Sequence, residues 1–144
     1  MNNTTRAVIA TAAIGALLIP LAGCGNTTTS SGKTELTVWS WDASIDRAAK
    51  SFMKANPDIT VKVSNVGITE ETYTALNNAA QAGSGLPDVT LIEYLAIPQF
   101  VHSDTLMDLS KVYNTAKLKD TFTPGTWDSV NINGGLYAMP ADSG

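Results

Sequence analysis

Between Leu36-Thr-Val-Trp-Ser-Trp41 and Asp88-Val-Thr-Leu-Ile92 the sequence switches its hydrophobic period four times. Leu36–Trp41 is rich in β-branched and aromatic residues and reads as a strand. Ile45, Ala48, Ala49, Phe52 and Met53 then recur at i, i+3, i+4, i+7 and i+8, the stripe of an amphipathic helix. Asp42 or Ser44 can cap its start, and Asn56-Pro57 stops it. Ile59, Val61 and Val63 alternate with Thr60, Lys62 and Ser64, a strand with one face more solvated. Thr69 is placed to cap a second helix, with Glu70 and Glu71 favourably set in its first turn. Tyr73, Leu76 and Ala80 line that helix's inner face and Gly83 ends it. Asp88–Ile92 reads as a third, largely buried strand. The order βαβαβ implies a parallel sheet with helical crossovers, an α/β fold.

Past Glu93 the patterns weaken. Residues 97–101 fit a short helix and Leu106-Met-Asp-Leu109 a packed turn. Asn131-Ile-Asn-Gly-Gly135 signals a hairpin between strands Trp127–Ile132 and Leu136–Met139. The text stops at Asp142-Ser-Gly144 directly behind a strand pattern, as a fragment would.

Before the first strand the chain has a different character. Arg6 precedes a weakly apolar run from Ala7 to Ala22, interrupted by Thr11, Gly15 and Pro20. A spanning helix needs about 20 strongly apolar residues, so the run suits a signal-peptide core instead. Leu21-Ala-Gly-Cys24 closes it, and Cys24 is the chain's only cysteine. The segment resembles a bacterial lipobox, which implies cleavage before Cys24 and lipid attachment at its thiol; the alternative is an ordinary signal peptide with a chance cysteine. Residues 1–23 are thus expected to be a lipoprotein signal peptide. Residues 24–34, apart from the cysteine of Ser/Thr/Gly type, are expected to form a flexible tether. Residues 35–144 remain for the fold.

Composition removes many functions. The 144 residues carry 9 Lys+Arg and 13 Asp+Glu, a net charge of −4, with 44% hydrophobic and 15% charged residues. That is the composition of a folded domain. Loss of Arg6 with the signal would leave the mature chain at −5. An acidic surface has no basic stripe to neutralise phosphates, so nucleic acid is not an expected partner. One His and one Cys leave no zinc or CxxC site, and no metal or cofactor is expected. His102-Ser103-Asp104 holds triad residue types, but adjacent residues cannot adopt triad geometry. Gly83-Ser-Gly85 precedes a strand and lacks a following Gly-Lys, so it is no phosphate loop.

The succession of these segments resembles the N-terminal third of a family 1 extracellular solute-binding protein, the sugar-capturing lipoprotein of an ABC importer. The residues that carry the resemblance are Leu21–Cys24, Leu36–Trp41, and Phe52-Met-Lys-Ala-Asn-Pro57 followed by Ile59–Val63. To these are added Leu76-Asn-Asn-Ala-Ala-Gln-Ala-Gly-Ser-Gly-Leu-Pro-Asp-Val89, Phe122–Asp128 and Gly135–Gly144. The resemblance implies a type II periplasmic-binding-protein-like N-terminal lobe with a mainly parallel sheet, the second lobe being missing from this chain. It also implies a mono- or oligosaccharide ligand, ABC permease transmembrane subunits as partners, and an extracytoplasmic position anchored through lipidated Cys24.

In open α/β sheets ligands sit beyond the carboxyl ends of the strands. Three stops qualify: Trp41-Asp42, Glu93-Tyr94 and Asp142-Ser143. Carboxylates accept hydrogen bonds from sugar hydroxyls, and aromatic rings cover the apolar C–H faces. The first two stops also have a plain alternative. Trp41 can be core with Asp42 a helix cap, and Glu93-Tyr94 can be a solvated loop. Trp39, Tyr73 and Trp127 are expected in the core. The receptor reading competes with an exported glycoside hydrolase using Asp42, Glu93 or Asp142, since paired carboxylates also cleave glycosides. A structural surface lipoprotein without a ligand is the third reading.

Overall fold

The structure, a computed structural model, describes residues 32–141. The expected signal segment, Cys24, Asp142 and Ser143 lie outside them. Three parallel strands form the main sheet: β1 (Thr34–Trp39) in the centre, β2 (Ile59–Ser64) on one side and β3 (Val89–Thr90) on the other. Leu36 and Val38 stand opposite Val61 and Val63, and Val38 and Trp39 opposite Val89 and Thr90. Helices α1 (Ser44–Ala55) and α2 (Glu70–Ala82) provide the two crossovers, so the βαβαβ order read from the hydrophobic periods is the observed one.

Several boundaries differ from expectation, each for a visible reason. β1 starts at Thr34, whose N–H donates to the Asp58 carbonyl at 2.9 Å, and ends at Trp39, which leaves Trp41 beyond the strand. The turn is made by Ser40: its buried hydroxyl accepts the Asp42 N–H at 3.0 Å and bends the chain towards α1. The third strand is shorter and more open than its apolar sequence suggests. Val89 is 54% exposed because one edge of β3 pairs with β1 and nothing described pairs with the other. Asp88 substitutes for part of the ladder. Its carboxylate accepts the Thr37 N–H at 2.7 Å and the Thr37 hydroxyl at 2.9 Å, which holds the carboxyl below its ordinary pKa.

The helices correct two further expectations. α1 buries none of its residues, and Phe52 of the apolar stripe is 44% exposed. Thr69 does not cap α2 with its side chain; its own φ is +41°, and the Tyr73 N–H bonds to its carbonyl instead. Thr72, 1% exposed, steadies that end by donating its hydroxyl to the Gly67 carbonyl at 2.8 Å. Gly67 itself has φ +121°, and a Cβ there would lie 2.3 Å from that of Glu71, so only glycine fits. Gly83 ends α2 in the left-handed conformation, as expected of a glycine C-cap.

Beyond the sheet lies an apolar cluster of Ile97, Trp127, Val130 and Leu136. It joins α3 (Ile97–His102), α4 (Pro124–Ser129) and a small antiparallel hairpin of β4 (Asn131–Ile132) and β5 (Gly135–Leu136). The hairpin sits where Asn-Gly placed it, but Trp127–Ser129 is helical rather than strand. Pro124 at the first helical turn and the Thr123 hydroxyl at its cap start a helix there. Trp127 is 6% exposed and stacks on Phe122 with ring centroids 5.9 Å apart, a core residue. Asp108 ties the preceding loop to the hairpin by accepting the Leu136 N–H at 3.1 Å. Among the described residues no helix is long and apolar enough to cross a membrane.

Candidate functional site

Ending β1 at Trp39 and β3 at Thr90 puts two loops side by side, because adjacent parallel strands finish at the same edge of a sheet. The first loop carries Trp41-Asp42 and the second Glu93-Tyr94. All four residues line one groove of about 1060 Å³, at the upper end of the roughly 300–1,000 Å³ found for small-molecule sites. Two halves of this groove differ in chemistry. Along β3 its walls are mainly apolar, with Leu86, Val89, Leu106 and Met139 beside Asp88 and Thr90; at the strand ends it is aromatic and acidic.

Asp42 is an exposed carboxylate whose Oδ1 accepts the Ser44 N–H at 2.7 Å. That bond and one to the Ser44 hydroxyl hold its carboxyl below the ordinary value, slightly opposed by burial. The N-cap position of α1 is Ala43 rather than Asp42 or Ser44; Asp42, one residue earlier, binds the first helical amide and lines the groove. A carboxylate that is ionised throughout the neutral range is a permanent acceptor for hydroxyl donors. Glu93 is exposed and starts a single helical turn over residues 94–96, its carbonyl accepting the Ala96 N–H at 2.9 Å.

Tyr73, expected only as core, connects the two loops. Its ring stands edge-on to Trp41 at 6.3 Å and edge-on to fully buried Phe100 at 5.5 Å. Its hydroxyl oxygen accepts the Glu93 N–H at 2.9 Å. Burial pushes the phenol above its ordinary pKa. Tyr137 lines the groove as a further aromatic that sequence reasoning placed only within a hairpin strand. The signal that pointed to Trp41 and Tyr94, an aromatic next to a carboxylate at a strand end, is absent at Tyr137.

The remaining candidates do not assemble into reactive chemistry. Ser103 pairs with the Thr105 hydroxyl at 2.9 Å and faces the Phe100 carbonyl at 3.4 Å, on an exposed turn. Among the described residues no group of three His, Cys, Asp or Glu side chains could hold a metal ion.

Residues 47–144, more than half of the chain, match the family described as bacterial extracellular solute-binding protein. The chain belongs to this family. Solved structures agree on the fold. The chain is similar to the ABC transporter associated binding protein from Bifidobacterium animalis subsp. lactis Bl-04, solved in complex with β-1,6-galactobiose, at 42% identity and TM-score 0.73 over 78% of this chain and 27% of that one. It is similar to the sugar-binding protein MalE of Xanthomonas citri at 29% identity and TM-score 0.66, over 74% and 28% of the two chains. A family 1 extracellular solute-binding protein from Alicyclobacillus acidocaldarius matches at 28% identity and TM-score 0.59, over 75% and 28%. No curated protein matches the chain. The chain thus spans just over a quarter of the length of these solved relatives, and the fold is that of a type II periplasmic-binding-protein lobe. Membership places the chain in an extracellular family whose described role is to bind a solute.

Proposed function

We propose that residues 35–144 form the N-terminal lobe of a two-lobe, extracytoplasmic carbohydrate receptor that delivers sugar to an ABC permease. The observation that carries this reading is the meeting of Trp41, Asp42, Glu93 and Tyr94 on one groove at the carboxyl ends of the strands. The aromatic rings offer apolar faces to the C–H faces of a sugar, and the carboxylates accept its hydroxyl protons. Asp142-Ser143, next in the sequence after the groove residue Ala141, is the third pair assigned to the same ligand. The solved relatives bound to or named for sugars make a short oligosaccharide the first ligand to try, β-1,6-galactobiose among them.

A second lobe closes over the ligand from the other side. A sugar that touches both lobes binds the closed form better and shifts the hinge equilibrium towards it, giving the permease a shape to recognise.

Binding separates from hydrolysis in one experiment. The receptor read from the complete open reading frame is incubated for a day with β-1,6-galactobiose and a panel of oligosaccharides, then denatured to release what it holds. Intact sugar in an amount matching the protein is expected. Accumulating monosaccharide would replace the receptor with a hydrolase acting through Asp42, Glu93 or Asp142.

We also propose that Cys24 holds this receptor on the membrane through lipid. More than one acyl chain is needed for stable anchoring, and each buried CH₂ contributes about 0.8 kcal/mol. In bacterial cells Cys24→Ser is expected to abolish labelling by radioactive palmitate and leave the signal uncleaved. Unchanged labelling in that variant would rule the anchor out.

A further inference from the structure

The hydrogen-bond ladder between β1 and β3 ends where the Leu91 N–H meets the Trp39 carbonyl at 2.8 Å. Past that point the strands no longer support each other, yet the groove depends on the two loops that follow. Beyond it, a side chain supplies a tie to the second loop. Tyr73, in the first turn of α2, places its hydroxyl oxygen 2.9 Å from the Glu93 nitrogen. Its ring is wedged between Phe100, which is fully buried, and Trp41, which lines the groove. Tyr73 itself is not among the residues lining the groove.

We propose that Tyr73 is a positioning residue for the ligand: through its ring it sets the attitude of Trp41, and through its hydroxyl it fixes the backbone of the Glu93-Tyr94 loop. The inference rests on the carbohydrate-receptor reading above. Packing alone would be served by phenylalanine at this position. The hydroxyl adds a bond to a loop amide that lies beyond the reach of the strand ladder, and the loop it holds carries two of the groove's six aromatic and acidic residues.

A binding site gains affinity when its groups are held in place before the ligand arrives. Loss of one neutral hydrogen bond that orders such a loop weakens binding about three- to tenfold.

The test compares Tyr73→Phe with Thr72→Val in the complete receptor. Thr72→Val is the control, since it removes one hydroxyl hydrogen bond from the same turn, to Gly67, away from both loops. Affinity is measured by calorimetry for the tightest-bound member of a panel starting with β-1,6-galactobiose, together with amide hydrogen exchange at Glu93 in the sugar-free protein and a melting curve for each variant. Tyr73→Phe is expected to bind about three- to tenfold more weakly and to exchange the Glu93 amide faster, while Thr72→Val binds as the parent does whatever its melting temperature. Equal affinity of Tyr73→Phe and parent would overturn the positioning role and leave the receptor reading intact. Equal weakening in Thr72→Val would also overturn it, by showing a general effect of the helix. A parent that binds no member of the panel would end the receptor reading and this role with it.

Discussion

Phe100→Ala is expected to lower the stability of the lobe by about 3–5 kcal/mol, the range for emptying a buried aromatic site. Phe100 is fully buried on α3 and its ring meets Tyr73 edge-on at 5.5 Å. The cost has two parts, the lost transfer of the ring from water and the cavity that a rigid neighbourhood cannot refill. Backbone bonds do not soften it, because the Phe100 carbonyl still accepts the Thr105 N–H in the alanine variant. Leu95→Ala provides the contrast. Leu95 lies five residues earlier and is 95% exposed, so its truncation should change stability by less than about 0.5 kcal/mol. Chemical or thermal denaturation of both variants checks the pair. A Phe100→Ala loss as small as that of Leu95→Ala would mean that Phe100 is not packed against Tyr73 as described.

The sheet was legible because its signals are local. Alternation at Ile59, Val61 and Val63, the apolar stripe of α1 and the Gly83 stop each depend on a few neighbouring residues, and together they gave the strand and helix order that is observed. The end of β1 was not legible. Trp41 continues an aromatic run in sequence, while the chain is turned by the Ser40 hydroxyl, a bond that no propensity records. Nor was the exposure of β3: Val89 looks buried by composition, but its burial depends on neighbouring elements, and periodicity counts only the strand's own residues. The Asn-Gly hairpin signal extends a strand back to Trp127, whereas Thr123-Pro124 starts a helix that packing of Trp127 on Phe122 then keeps.

The site divides in the same way. Trp41, Asp42, Glu93 and Tyr94 could be picked out because the ends of parallel strands are predictable places for ligands, and the structure brings these four to one groove. Tyr73 could not. Its helical spacing marks it as inward-facing, and inward-facing is correct for the ring; only the three-dimensional fold reveals that the hydroxyl emerges at the Glu93 amide. Hydrogen bonds across twenty residues leave no mark on a local pattern. Asp142, Ser143 and Cys24 lie outside the described residues and stay as sequence expectations carried into the proposed function.

Trp41→Ala in the complete receptor is expected to weaken carbohydrate binding by about 1–3 kcal/mol, the worth of burying a large aromatic face against a ligand. Trp41 is held at the groove by Tyr73 on one side and the Ser40–Asp42 turn on the other, so its ring is presented without a large ordering cost on binding. It is half-buried rather than core, so most of the truncation should be felt in affinity and little in the melting curve. Asp42→Asn should weaken binding in the same direction, since a charged acceptor makes hydrogen bonds roughly twice as strong as a neutral one. The deciding measurement is a calorimetric titration of parent and Trp41→Ala against the same oligosaccharide panel, at one temperature and salt concentration. The account predicts a saturable, product-free titration for the parent and a Kd raised about five- to 150-fold in a folded Trp41→Ala protein. A Trp41→Ala protein that binds every sugar as tightly as the parent would contradict it.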